Sequence, residues 1–256
     1  MRVVRSGALL LIASFAFDAN AIVNVEAMRV GPPADGLSGH LDLSLNGNSG
    51  NTDKQAIGLD ARLQWQQDRM TDFMVLSYDY AESSSVRDTN KTFVHARHVV
   101  QFRPRRAWET FAQMEENEFA RLAFRGLLGG GLRFTLAERA ERLGLYLGAG
   151  AFWSRETLEQ QPEYTDHGSD SFVRANLYLV YKHVLNSQLS LVSTTYYQPR
   201  LSDGSDFRAL EQAGLAVKMS ENLSLKLSLD IAHDSRPPQS IDNTDISYNT
   251  SLSYQF

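Results

Sequence analysis

From Leu37 to Phe256 apolar residues return at every second position, in segments of about ten to fourteen residues separated by turn chemistry. In a strand, successive side chains point to opposite faces, so each segment reads as a ribbon with one apolar and one polar side. The clearest is Asn222–Ser235, where Leu223, Leu225, Leu227, Leu229 and Ile231 alternate with Ser224, Lys226, Ser228, Asp230 and Ala232. The same alternation sets Ile57, Leu59, Ala61, Leu63 and Trp65 against Gly58, Asp60, Arg62 and Gln64, and Met74, Leu76, Tyr78 and Tyr80 against Val75, Ser77 and Asp79. His98 interrupts the apolar side of a fourth segment formed by Val94, Ala96, Val100 and Phe102. Carried to the C-terminus, the pattern gives about twelve strands, the even count required of an antiparallel barrel entered and left on one side of a membrane.

Alternation alone also describes a soluble sandwich, so the connections carry the next step. Gaps at one end are expected to be long and polar: Gly47–Lys54, Ala81–Lys91, Glu115–Leu122, Glu156–Asp170, Pro199–Phe207 and Asp234–Thr244. Those at the other end are short, around Gln67–Arg69, Arg103–Arg106, Ala137–Arg142, Val184–Ser187 and Ser220–Glu221. Long loops outside and short turns inside is the outer-membrane pattern. Trp65, Phe102, Trp108, Phe134, Tyr254 and Phe256 fall at the short-turn ends and Tyr80, Trp153 and Tyr197 at the long-loop ends, as two interfacial girdles would require. The expectation is an all-β fold: a closed antiparallel transmembrane barrel of about twelve strands, with short periplasmic turns and longer extracellular loops.

The N-terminus reads as an export signal. Arg2 and Arg5 precede an uncharged run from Gly7 to Phe17, and Ala19-Asn20-Ala21 supplies the small-x-small site of a signal peptidase. A run of about eleven residues is too short for a membrane anchor, which needs about twenty. The organisation expected is a cleaved signal over 1–21, a short periplasmic segment over 22–36 and a barrel over 37–256. A balance of 25 Lys and Arg against 30 Asp and Glu argues against a nucleic-acid partner. The absence of cysteine fits passage through an oxidising periplasm but decides little.

Several fragments, taken in order, resemble a family of uncharacterised salt-induced outer-membrane proteins. They are Gly47-Asn48-Ser49-Gly50-Asn51-Thr52, Glu118-Phe119 followed by Phe124-Arg125 and Gly129-Gly130-Gly131, Asp234-Ser235-Arg236-Pro237-Pro238, Asn243-Thr244-Asp245, and the closing Tyr254-Gln255-Phe256. Glu118, where the family has Asp, and His233, where it has an aromatic, depart from the pattern. The resemblance implies an outer-membrane barrel with a link to salt or osmotic conditions, and no reaction. The closing Phe256 resembles the signal read by the barrel-assembly machinery, and the remaining partners implied are outer-membrane lipid and lipopolysaccharide.

Chemistry-bearing patterns are few. His233 and Ser235, two apart on one strand face, resemble the dyad of an outer-membrane lipid hydrolase, with Asp245 as a third member. An amphipathic ring where an apolar face leaves the membrane explains His233 equally well. Asp166-His167 is a fragment of a protease-like acidic–histidine site, for which a hydrated loop is the simpler account. No metal-ligand spacing appears, no cofactor motif is present, and Gly129–Gly131 lack the strand-to-helix context of a phosphate loop and suit curvature or close packing. On the polar faces, Asp42, Asp60, Arg62, Asp79, Arg97, Arg125, Arg133, Arg174, Lys182, Lys218, Lys226 and Asp230 would line the lumen, either along a narrow passage or paired so as to fill it. Glu156, Glu159, Glu163, Asp166 and Asp170 mark an acidic loop able to recruit divalent cations that bridge lipopolysaccharide phosphates, for which a solvated loop is the simpler account. The functional expectation is a structural or narrow-pore barrel. A lipid hydrolase using His233 and Ser235 and a surface-interaction barrel acting through acidic loops remain the alternatives.

Overall fold

In the computed structural model the described residues are 35–48, 54–139, 142–166, 168–220 and 223–254. The expected signal and cleavage site, the periplasmic segment up to residue 34, and Gln255 and Phe256 lie outside them. The described residues form one twelve-stranded sheet in sequence order, each strand antiparallel to its neighbour. The strands are β1 (Gly36–Asn48), β2 (Lys54–Gln67), β3 (Met70–Ser83), β4 (Val86–Arg103), β5 (Arg106–Asn117), β6 (Leu122–Arg139), β7 (Leu143–Leu158), β8 (Gly168–Val184), β9 (Leu189–Arg200), β10 (Asp203–Lys218), β11 (Leu223–Asp234) and β12 (Thr244–Tyr254). A single 3-10 turn, Glu118–Ala120, joins β5 to β6. No helix among the described residues is long and apolar enough to cross a membrane, which says nothing about crossing by strands.

Register keeps the leucines together. Leu227 of β11 pairs with Leu215 of β10, and Leu215 with Leu191 of β9. On β7 and β8, Leu147 faces Leu179 and Ala149 faces Leu177. A slip of one residue would send each of these to the other side of the sheet, so the apolar pattern excludes the odd registers.

Two of the expected long loops are turns. β3 and β4 continue through most of 81–91 and meet at Ser84 and Ser85, both with left-handed backbone (φ 51° and 63°), the conformation that lets a tight hairpin follow the strand twist. β9 and β10 close at Arg200 and Asp203 around Leu201 and Ser202, and β10 bulges over 204–206 before Phe207 meets Pro199. Polar composition there marks strand exposed to water rather than loop. The genuinely long connections among the described residues are β7–β8 and β11–β12, which lie at the same end of the sheet as the 3-10 turn.

Polarity is inverted relative to a water-soluble sheet. The exposed face carries Leu41, Leu43, Leu45, Leu63, Trp65, Met74, Trp108, Leu128, Trp153, Leu177 and Tyr248, whereas Arg62, Arg97, Glu109, Glu115, Arg125, Arg133 and Arg174 are buried on the other. The sheet is rolled with that charged face inward, since side chains from strands that are not neighbours meet there. Tyr178 of β8 reaches Glu109 of β5, and Arg208 of β10 reaches Glu156 of β7. Smaller apolar clusters, Phe73 with Val75 and Phe93, and Tyr178 with Val180, Tyr196 and Leu210, fill the gaps between the charges.

Candidate functional site

The charged interior is built in two levels. Near the long-loop end, Arg125 binds Glu115 at 3.2 Å and Glu156 at 2.9 Å. Arg208 clasps Glu156 with both Nη atoms, at 2.6 and 2.9 Å, and donates from Nε to Asp234 at 2.8 Å. Beside this chain Arg174 holds Asp206 at 2.5 Å, and Arg174 and Arg200 both lie over the Phe172 ring. A guanidinium or carboxylate buried alone would cost several kcal/mol, so bidentate and shared contacts are what make this density of charge tolerable.

Closer to the short turns the level is cationic and aromatic. Tyr178 donates to Glu109 at 2.6 Å and accepts from Arg133 at 3.2 Å, while Arg97 approaches Glu109 at 3.5 Å. Arg97 lies over the rings of Phe73 and Phe111, and Arg133 over Tyr146. Tyr178 has room because Gly148 lies beneath it: a Cβ at that position would fall inside the ring. Gly129 plays the same part for Phe111 and Phe152, each 2.6 Å from where its Cβ would be, so close packing rather than phosphate binding accounts for the glycine run.

Three connections meet over the long-loop end of the rolled sheet. Arg121, in left-handed conformation just after the 3-10 turn, is almost fully buried. Its Nη1 donates to Asp166 at 2.9 Å in the β7–β8 loop and to the carbonyl of Gln239 at 2.8 Å in the β11–β12 loop, and its guanidinium lies 4.0 Å from the Tyr164 ring centre. Gln239 answers with its backbone N–H on Asp166 at 2.6 Å and its side chain on Thr165. Burial raises the Asp166 pKa, but the bonds from Gln239 and Arg121 outweigh it and hold the carboxyl below its usual range. Burial, together with the nearby Glu118 carboxylate, pushes Glu159 in the opposite direction. A cavity of about 50 Å³ separates Pro237, Pro238 and Ile241 of the β11–β12 loop from Arg125, Glu156 and Arg208 below.

The residues singled out from sequence fall as follows. Arg62, Arg97, Arg125, Arg133 and Arg174 are buried on the inward face, and Asp60, Asp79, Lys182 and Asp230 are half-buried in the same alternating series. Lys218 is exposed at the end of β10. Asp42 and Lys226 occupy the matching register in β1 and β11. The carboxylates that neutralise the upper arginines are Glu115, Glu156, Asp206 and Asp234 rather than the aspartates expected. Glu109 alternates with Trp108 and Thr110, whereas Glu115 was expected at the start of a loop and is instead an inward strand residue of β5. Glu156 and Asp170 are strand residues paired with arginines, and Asp166 is tied to Arg121, so these three of the segment's five acids have cationic partners. Among the described residues no cluster of His, Asp and Glu could hold a metal ion.

His233 and Ser235 do not form a dyad. His233 bonds Thr244 at 2.8 Å and packs on Phe207, which packs on Tyr197, on the outward face. Ser235 accepts the N–H of Phe207 and donates to the carbonyl of Ser205, fastening the β11–β12 loop. Asp245 lies across from Ala232 in β12. His167 is outside the described residues.

A family model described as a protein of unknown function, DUF481, matches residues 41–256. The chain belongs to the DUF481 family. No curated protein matches it. Among solved structures, this DUF481 chain is similar to the NanC porin at 10% identity and a TM-score of 0.48, over 84% of this chain and 100% of that one. It is also similar to the CymD monoaromatic hydrocarbon channel at 9% identity and a TM-score of 0.44, over 87% and 80% of the two chains. A deltaS2 mutant of the TodX monoaromatic hydrocarbon channel matches at 11% and 0.42, over 88% and 82%.

Proposed function

We propose that this chain is a bacterial outer-membrane barrel, with β12 closed on β1, whose lumen is filled by an arginine–carboxylate network, making it a structural or narrow-pore protein rather than an open porin. The observation that carries this reading is the inverted polarity: ion pairs inside, leucine and tryptophan outside. In water that arrangement would be unfavourable on both faces, whereas lipid favours the apolar face and excludes an open sheet edge, whose backbone groups would have no partner. Interior arginines with almost no exposed surface argue for a filled lumen, because an aqueous channel would wet them. Fractionation with outer membranes and planar-bilayer recording test the proposal. The expected result is small or no steady conductance, rising and turning cation-selective when Arg125 and Arg133 are changed to Ser. A large open-channel conductance insensitive to those changes would overturn it.

The tied loops favour a second reading, in which the covered mouth is a rigid surface presented to a partner outside the cell. Binding of surface polysaccharide or protein that is lost when the β11–β12 loop is shortened, with the barrel intact, would select it. Recognition of Phe256 by the assembly machinery rests on the terminal aromatic of an alternating strand, contact with lipopolysaccharide on the acidic segment 156–170, and a tie to salt conditions on the family resemblance. Growth of a deletion strain at raised salt tests the last.

A further inference from the structure

Among the mainly apolar side chains of the outward face of β2–β6 sits a hydrogen-bonded carboxylate–imidazole pair. His98 Nδ1 lies 2.6 Å from Asp72 Oδ1, both side chains about half exposed (44% and 56%). Register places the pair in one cross-strand row, Trp65–Asp72–His98–Thr110, close to the β2–β3 turn. The next row toward mid-wall runs Leu63–Met74–Ala96–Ala112–Leu128. Its two alanines leave a depression between Met74 and Leu128, part of an open groove of about 430 Å³ whose lining also includes Asp72, His98 and Trp65.

On the reading that this wall faces lipid, we propose that the groove seats one phospholipid with an amine-bearing zwitterionic headgroup. Charge complementarity selects it. Asp72 accepts from the ammonium, and in the imidazolium form His98, with Nδ1–H on Asp72, donates from Nε2–H to the phosphate. One acyl chain lies over Ala96 and Ala112, and Trp65 and Trp108 flank the headgroup at the level such rings prefer. The short-turn end is the periplasmic one in this reading, and its leaflet is where phospholipid would be met. A purely anionic headgroup would leave Asp72 facing a negative charge without an ammonium to balance it, so it should bind less well.

Native mass spectrometry of the refolded protein, with phosphatidylethanolamine or phosphatidylglycerol of matched chains added, tests this. The wild type should retain one phosphatidylethanolamine in preference to phosphatidylglycerol by about tenfold. Asp72→Asn should abolish that preference, and Ala112→Leu, which fills the groove with an apolar side chain, should lower retention of both lipids. Equal retention of the two lipids by the wild type, or an unchanged preference in Asp72→Asn, would overturn the proposal. If Ala112→Leu does not fold, Ala96→Leu fills the same depression, and the wild-type comparison stands without either. Failure of the wild type to fold into detergent or lipid, judged by heat-dependent gel mobility, would count against the barrel itself. A folded barrel without lipid preference would sink only this site.

Discussion

Arg121 and Gln239 are 118 residues apart and meet at 2.8 Å, guanidinium to carbonyl, over the end of the sheet. That contact joins the β5–β6 connection to the β11–β12 loop across the mouth, with Asp166 bonded to both. Replacing Arg121 with Gln removes charge-assisted hydrogen bonds worth about 1.5–3 kcal/mol each. Limited proteolysis should therefore cut within 159–166 and 235–243 at least about tenfold faster, with strand content by circular dichroism unchanged. Unaltered cleavage would mean that the loops hold without this residue.

The same tie should weaken in acid. Because the Asp166 carboxyl is held below its usual value, its contribution to loop order is fully present above the unfolded pKa, about 3.9, and is lost as pH falls through the lower folded value. Loop protection in hydrogen exchange should be constant from neutral pH to about pH 4 and fall below that. Asp166→Asn should be poorly protected throughout and lack the acidic step.

Glu159 is expected to act with the opposite sign. Its raised pKa means that ionisation is less favourable in the folded loop, so its destabilising effect appears as pH rises through the unfolded value, about 4.3, and is complete above the folded one. Glu159→Gln should therefore tighten the cover at neutral pH and change little in acid, read by the same exchange experiment.

Gly148→Ala should disturb the interior although it adds one methyl group. The new Cβ would fall inside the Tyr178 ring, forcing the ring off Glu109, at a cost of about 1–3 kcal/mol for overpacking before the lost bond is counted. Gly204→Ala, with open space around its Cβ, is the control and should leave the urea midpoint in place.

Leu227→Arg should impair folding far more than Ser228→Arg. Leu227 is exposed on the outward face and pairs with Leu215, whereas Ser228 turns inward opposite Gly214. Arg near the middle of a lipid-facing wall costs about 2–4 kcal/mol, while the interior already accommodates arginines. Equal tolerance in heat-dependent gel mobility would contradict the assignment of faces.

The all-β, antiparallel character and the identity of the two faces were determined by the sequence itself, because a period of two is a local property: Leu223 to Ile231 declare their side without reference to any other strand. The positions of Arg62, Arg97 and Arg133 on the inward series follow from the same count. Strand ends were less legible, since the polar residues of 81–91 and 199–207 look alike whether they form loops or extend the strands; backbone pairing decided that. Partnership was decided only by the tertiary structure. Glu156 reads as loop acid until rolling of the sheet brings Arg125 and Arg208 to it from two different strands. Arg121 has no partner within its own hairpin that would foretell Asp166 or Gln239. An ion pair depends on where two distant segments arrive in space, and burial then makes that meeting obligatory, because the charges left in the interior must find one another.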